Sequence, residues 1–105
     1  MGISTLAGNG QAIGVVTVSL TPASVATATS AEQTFTVNGL KTTDFVAVNP
    51  PSSTTGTGIA SVRVSAADTL AITFINATGG SLTPAAGSYK VMYFRPEGTI
   101  TMVTA

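Results

Sequence analysis

Four carboxylates are the main side chains of this sequence that could move protons near neutral pH. The chain of 105 residues has no histidine and no cysteine. Without these two residue types, Ser-His-Asp and Cys-His nucleophiles cannot be assembled, and zinc loses its usual ligands. A paired-carboxylate mechanism of the glycosidase kind would require two acidic residues to meet in the fold. The four acidic residues are Glu32, Asp44, Asp68 and Glu97.

These carboxylates lie on separate predicted loops or strand ends, so we expect no catalytic pair. Asp44 precedes an apolar run and Asp68 falls in a predicted turn, positions where an aspartate side chain accepts backbone hydrogen bonds. The glycine pattern from Gly8 to Gly14, GNGQAIG, departs from the dinucleotide fingerprint, because its third glycine comes one residue late and a strand follows it. The sequence therefore predicts no enzyme, no bound cofactor and no metal.

A second kind of chemistry, sugar binding, would use aromatic and arginine side chains. The candidates for such a platform are Tyr89, Tyr93, Phe94, Arg63 and Arg95. Tyr89 and Tyr93 alternate with Lys90 and Met92 and share a face with Val91, which is the pattern of a packed strand. We therefore favour core or interface packing for both tyrosines over a glycan platform.

The composition is that of one small, weakly charged domain. Apolar residues make up 44% of the chain and charged residues only 8%, about a third of the usual charged fraction. Four basic residues balance four acidic ones, so we expect neither nucleic acid nor anionic lipid as a partner. The first residues lack the pattern of a secretory signal, and no segment is apolar over the length of a bilayer.

Short segments rich in β-branched residues, separated by glycine, proline and asparagine turns, predict an all-β domain. We expect seven or eight strands in an antiparallel β-sandwich or jelly roll, because no apolar repeat at helical spacing is convincing. The alanine-rich stretch from Ser24 to Gln33 is the best helical alternative, but its β-branched residues weigh against it. Met1 to Ala12 is predicted to be a flexible arm, and 13–105 a single β-sandwich domain. The expected strands are Ile13–Leu20, Ser24–Thr29, Thr34–Leu40, Asp44–Asn49, Ile59–Ala66, Thr69–Asn76, Ser88–Arg95 and Thr99–Val103.

The stretch DFVAVNPP, from Asp44 to Pro51, has apolar residues on both faces of a predicted strand. Two consecutive prolines must end the strand, since they lack the amide hydrogen and fix φ. The loop that follows, SSTTGTG, carries no charge. Asn76-Ala77-Thr78 fits the N-glycosylation pattern, but with no secretory signal it is better interpreted as a turn.

The segments TFTVNGLKTTDFVAVNPPSS and GIASVRVSAADTLAITFINATGGSLTPAAGSYKVMYFR, in this order, resemble small structural proteins and appended domains of tailed-bacteriophage virions. The resemblance covers about Ala31 to Arg95, most of the chain, and the string A-D-T-L-x-I-x-F-x-N is its most specific part. Its recurring residues fall at turns and strand exits: Asn38, Gly39, Asp44, Asn49, Pro50, Ala67, Asp68, Asn76 and Pro84.

This resemblance implies a capsid decoration, or cement, protein: a β-sandwich that forms a homotrimer on the outer surface of the virion capsid. Its partner would be the major capsid protein, and it would stabilise the head by bridging neighbouring capsid subunits. The same kind of module also resembles pieces of phage fibres, so the alternative is a tail or head-fibre module that binds a host-surface glycan. No catalytic, cofactor-binding or small-molecule site is implied.

The residues themselves also point to self-association. A chain this small, with few charges and with strands apolar on both faces, should leave neutral apolar surface exposed, which usually marks an interface. The uncharged loop after the two prolines can lie against another subunit without removing an ion from water. Removing an ion from water has a cost that can reach several kcal/mol. The residues predicted to lie at an interface are Ile3, Leu6, Asn49, Pro50, Pro51, Thr55, Tyr89 and Tyr93.

Overall fold

The protein is all-β, as predicted. A computed structural model describes residues 10–98, and within that range the chain forms six strands and no helix. The predicted strand Thr99–Val103 and residues 1–9 of the predicted arm lie outside the described residues. The strands are β1 Gly10–Leu20, β2 Thr29–Thr36, β3 Phe45–Asn49, β4 Thr57–Ala66, β5 Thr69–Asn76 and β6 Gly87–Pro96.

The six strands form two antiparallel sheets of three strands each. One sheet has the order β1-β6-β3 and the other the order β2-β5-β4. The central strand is β6 in the first sheet and β5 in the second, so the last two strands of the described chain form the centres of the sheets. Strands β3 and β4, which belong to different sheets, lie beside each other. Both sheets contribute to one hydrophobic core, which agrees with a β-sandwich.

Three predictions differ from the structure in the N-terminal half. Strand β1 begins at Gly10, so residues 10–12 of the predicted arm belong to a strand. The segment predicted as a strand at Ser24–Thr29 is mostly irregular and contributes one isolated bridge, between Val25 and Leu82. The following strand, β2, runs from Thr29 to Thr36, whereas the predicted strand was Thr34–Leu40. The inward positions before Phe35 are Gln33 and Ala31, which are not large apolar residues. The apolar alternation that marks a strand is therefore weak before Phe35, and the predicted start was too late.

The tight-turn signal Asn38-Gly39 is a turn, but it does not close a hairpin. β2 pairs with β5 and β3 pairs with β6, so the connection from Val37 to Asp44 carries the chain from one sheet to the other. Gly39 has a φ of +99°, a backbone conformation that glycine adopts without steric cost.

The inner faces of the strands supply the core. On β5 the inner side chains Leu70, Ile72 and Phe74 are buried, and on β6 Tyr89 and Val91 have no exposed surface. The Tyr89 hydroxyl donates a hydrogen bond of 2.6 Å to the carbonyl of Ala85, which satisfies its polar end inside the core. Burial of each such side chain contributes about 1.5–3 kcal/mol.

Asn76, at the end of β5, joins the turn that follows it to the rest of the core. Its side chain is almost completely buried, and its amide nitrogen donates to the carbonyls of Val25, at 3.0 Å, and Gly80, at 2.8 Å. Its side-chain oxygen accepts hydrogen bonds from the amide and the hydroxyl of Thr78. All of its polar groups are used internally, so the N-glycosylation pattern at Asn76 is a structural turn in this fold.

We expect Asn76→Ala to lower the free energy of unfolding by about 3 kcal/mol, because it removes the four hydrogen bonds that this almost completely buried side chain makes. Urea unfolding monitored by circular dichroism measures this loss. The matched control is Asn49→Ala, at the exposed end of β3, for which we expect a change within about 0.5 kcal/mol. Equal effects of the two substitutions would contradict the structural role of Asn76.

Candidate functional site

Two of the four candidate carboxylates are bound to arginine side chains. Asp44 is buried and bonds to Arg95, while Glu32 bonds to Arg63 on the surface. No group of three or more acidic side chains that could hold a metal ion occurs within residues 10–98. In the described chain, Glu32, Asp44 and Asp68 each stabilise structure, and Glu97 lies exposed beyond the end of β6.

Asp44 and Arg95 form the one buried ion pair among residues 10–98, and it fastens the connection between the sheets to β6. The Arg95 side chain donates to the two carboxylate oxygens at 2.7 and 2.8 Å. The Lys41 amide also donates to the carboxylate, at 2.9 Å, and the Asp44 side chain is fully buried. Arg95 donates to the carbonyl of Gly39 as well, at 2.9 Å. This bidentate arrangement makes a charge-assisted link with fixed geometry.

Asp68 holds the same connection from the other sheet. Its side chain accepts a 2.7 Å hydrogen bond from the amide of Gly39, and its own amide donates to the carbonyl of Leu40 at 2.9 Å. Asp68 has a φ of +59°, a conformation that aspartate tolerates better than most residues. Both aspartates therefore accept backbone hydrogen bonds in turns, as the sequence predicted.

The Arg95 guanidinium lowers the pKa of Asp44, chiefly by hydrogen bonding to its carboxylate, and the Lys41 amide adds to this effect. Burial acts in the opposite direction but is the smaller influence. The charged form of Asp44 is therefore the stable form in the folded protein.

Replacing Asp44 by Asn should lower the free energy of unfolding at neutral pH by about 1–3 kcal/mol, because Arg95 loses a charged partner. The folded-state pKa of Asp44 lies below its ordinary value of 3.8. The stabilisation is therefore fully present above that ordinary value and is lost as the pH falls through the folded-state pKa. Urea unfolding of wild type and variant at about pH 7 and about pH 2 should show the difference shrinking in acid.

The control for this experiment is Glu32→Gln, which removes a carboxylate from an equally bidentate but exposed ion pair with Arg63. Screening by water makes such pairs weak, so we expect a much smaller loss. If Asp44→Asn and wild type had equal free energies of unfolding at neutral pH, the buried ion pair would not stabilise the connection from Val37 to Asp44 between the two sheets.

The strongest candidate for a functional surface is the outer face of the β1-β6-β3 sheet. The registers of the strands place its side chains in two cross-strand rows. One row joins Ile13, Phe94 and Phe45, and the other joins Val15, Met92 and Ala47. These six residues are called the apolar face below.

Much of the apolar face is open to solvent in the single chain. Val15 is 64% exposed, Phe45 67%, Ile13 54% and Met92 46%. The rings of Phe45 and Phe94 stack with their centroids 6.4 Å apart, and an open depression of about 350 Å³ lies between β1 and β3 over Met92. Contiguous exposed apolar surface of this kind usually marks a contact site for another protein, whereas single exposed apolar residues are common on any protein surface.

The outer face of the β2-β5-β4 sheet is different. Its rows consist mainly of threonine, serine and alanine, with Thr34, Ala71 and Arg63 in one row and Glu32, Thr73 and Ser61 in the next. The Glu32–Arg63 ion pair lies across these rows. Only Ile75 on this face is a large exposed apolar residue. The β1-β6-β3 sheet thus presents the larger exposed apolar area, and the outward row next to it, formed by Thr17, Lys90 and Asn49, is polar.

The structure separates the predicted interface residues into four groups, of which Tyr93 alone is the last. Asn49, Pro50, Pro51 and Thr55 are exposed at the end of β3 and in the loop after it. Tyr89 has no exposed surface, so it belongs to the core and offers no surface to a partner or to a glycan. Ile3 and Leu6 lie outside the described residues.

Tyr93 is half-buried on the inner side of the β1-β6-β3 sheet. Its ring lies directly over Gly14, where a Cβ atom would come within 2.9 Å of the tyrosine hydroxyl. This close approach explains a glycine in the middle of β1. The Arg95 guanidinium lies 5.6 Å from the centre of the same ring. Tyr93 therefore packs between the sheet and the Arg95 side chain, which supports the packing interpretation of the sequence.

Sequence reasoning did not name the residues of the apolar face as interface residues. The signal is present in the sequence, because alternation along a strand places Phe45 with Ala47, and Met92 with Phe94, on one side of their strands. What was lacking was the pairing of β6 with both β1 and β3, which brings the three sets of side chains into rows. Strand order of this kind comes from tertiary packing and not from local pattern.

Within the described part of the chain, no helix is suited to crossing a membrane. No protein-family model matches this sequence, and comparison with curated proteins and with solved structures likewise finds no significant match.

Proposed function

We propose that the protein is a capsid decoration, or cement, protein of a tailed bacteriophage, located on the outer surface of the virion. It associates with copies of itself, as the homotrimer that the sequence resemblance implies, and binds the major capsid protein across neighbouring capsid subunits. Its mechanism is adhesion: it adds buried area at subunit junctions, which raises the force needed to separate them.

The observation that carries this proposal is the apolar face. Phe45, Val15 and Met92 are among the most exposed large apolar side chains of residues 10–98, and they lie together on one sheet. Leaving them in water has a free-energy cost of about 25 cal/mol per Å² of apolar surface. Covering them with another protein removes that cost, so the surface favours association with a neutral, apolar partner.

The scarcity of charge supports the same proposal. Only 8% of residues are charged, and the charged side chains that the structure describes on the sheets are mostly paired with each other, as in Glu32–Arg63 and Asp44–Arg95. Lys90 lines the depression over Met92 and is the charged side chain that a docking partner has to accommodate there. A shell protein that docks on this chain therefore buries few ions, which would be expensive to remove from water.

The loop after β3 is a second contact element. Pro50 and Pro51 end β3, and Pro51 packs against Gly87, where a Cβ atom would lie 3.1 Å from the proline ring. This contact fixes the exit of the chain, and the exposed residues beyond it carry no charge. Strand β3 contributes Phe45 and Ala47 to the apolar face, and the loop follows directly after the strand. One partner surface can therefore cover both.

The test is binding to capsid shells assembled without this protein. We expect wild-type protein to sediment with the shells, and Met92→Lys to bind at least about tenfold more weakly, because a lysine charge would be placed in the middle of the covered surface. Met92 is half-exposed in the single chain, so the substitution should leave folding intact. Circular dichroism checks this point.

The matched control is Thr36→Lys, which places the same charge at an exposed position of β2, on the polar outer face. It should bind shells as wild type does. The proposal would be wrong if wild-type protein failed to bind shells, or if it bound tails or fibres in their place. Equal binding by Met92→Lys and wild type would show that the apolar face is not the docking surface.

A further inference from the structure

The outer edge of β1 has no pairing partner among residues 10–98. β1 lies at the side of its sheet and pairs only with β6. With 11 residues it is the longest strand of the described chain. An edge strand presents a row of backbone amides and carbonyls that can pair with a further strand.

The other three edge strands carry features that oppose such pairing. β3 has only five residues and lies between the buried Asp44 and the two prolines that follow Asn49. β4 has two register shifts, between Ile59 and Ser61 and between Val64 and Ala66. Short length, proline and bulges are the means by which native proteins protect sheet edges.

The edge strand β2 is protected by a charge and by a covering segment. Glu32 lies in the middle of the strand, where its carboxylate bonds to Arg63. The Gln33 side chain exchanges two hydrogen bonds, of 2.7 and 2.9 Å, with the backbone of Ala23. This contact holds the segment before β2 against the strand and restricts the approach of another chain.

β1 has none of these protections along its length. Its sequence, GQAIGVVTVSL, contains no charged residue and no proline. The one register shift lies at its very start, between Gly10 and Ala12. A long, uncharged edge rich in valine is the kind of strand that readily accepts a partner strand.

We propose that the outer edge of β1 pairs antiparallel with β1 of a second copy of this chain, about a two-fold axis near Val15. Full overlap of Gly10–Leu20 with its copy places Val15 opposite Val15 and Ile13 opposite Thr17 of the second chain. Antiparallel pairing keeps outward side chains on the same side. The apolar faces of the two copies then join into one surface across a sheet of six strands.

The composition and length of β1 favour a second copy of the chain as its partner. All 11 residues of the strand are uncharged and none is proline, so two copies in full antiparallel overlap can pair along their whole length. A second β1 matches the whole edge and brings no like charge opposite another. Such an isologous contact is the commonest arrangement in homodimers.

This contact goes beyond the proposed function and needs no capsid shell. An isologous pair joins two chains, or six if the trimer of the proposed function also forms. Binding to shells and pairing through β1 can therefore fail independently, and experiments on the purified chain in the absence of shells distinguish them.

The experiment uses single cysteines, since the native sequence contains none. Ile13→Cys, Val15→Cys and Thr17→Cys are made in the full-length chain and oxidised under mild conditions. We expect Val15→Cys to form covalent dimers at least about tenfold faster than Thr36→Cys, an exposed control on β2, because disulfides require Cβ atoms within about 4.5 Å. Circular dichroism verifies the fold of each variant.

A mixture of two variants tests the register. Ile13→Cys and Thr17→Cys chains should cross-link with each other faster than either does with itself, because the proposed pairing places these two positions opposite one another.

Light scattering of the wild-type chain should give an even number of copies at micromolar concentration. An odd number, or β1 cysteines that cross-link no faster than Thr36→Cys, would overturn the proposal.

Deletion of residues 1–9 or of residues 99–105 tests the alternative partners. If either terminal segment occupies the β1 edge, its deletion should create or greatly increase cross-linking at Val15→Cys, and the proposed contact in the native chain would then be wrong. Cross-linking that is unchanged by both deletions would support pairing through β1 itself.

Discussion

The central strand β6 carries bulky side chains on both of its faces, and the fold covers only one of them. Tyr89 and Val91 are buried against the second sheet, whereas Met92 and Phe94 point outward between β1 and β3. A two-layer structure cannot bury both sides of a central strand. The exposed outer rows are therefore a direct result of the sequence of β6, and the proposed adhesive function depends on them.

Charge is used inside this protein mainly to hold it together. The buried Asp44–Arg95 pair and Asp68 fix the connection that carries the chain between the two sheets. The exposed Glu32–Arg63 pair spans the polar outer face. Few ions are left to face a partner, so the free energy of any association must come largely from apolar contact and backbone hydrogen bonding. These are the two interactions that the apolar face and the β1 edge provide.

Local sequence patterns predicted the fold class and most strands, and tertiary pairing decided the rest. Alternation identified β5 and β6 almost to the residue, and the apolar run that ends at Pro50 and Pro51 did the same for β3. It failed around Val25, where a predicted strand is only an isolated bridge. At Asn38-Gly39 the turn was predicted correctly, but local chemistry does not reveal which strands a turn connects.

The candidate site was harder to predict for the same reason. Phe45 and Ile13 are far apart in the sequence and become neighbours of Phe94 only through the strand order β1-β6-β3. Tyr89 was predicted as an interface residue but lies in the core. The sequence alone does not distinguish the two, since an aromatic residue that shares a strand face with valine is typical of both. Its complete burial and its hydrogen bond to Ala85 place it in the core.

Hydroxyl-radical footprinting of the free chain and of the chain bound to capsid tests the central claim most directly. We predict that labelling of Phe45 and Met92 falls several-fold in the bound state. Ile75, the large exposed apolar residue on the other sheet, serves as an internal reference and should be labelled equally in both states. Unchanged labelling of Phe45 and Met92 in bound protein would show that the apolar face remains in water, and would contradict the account.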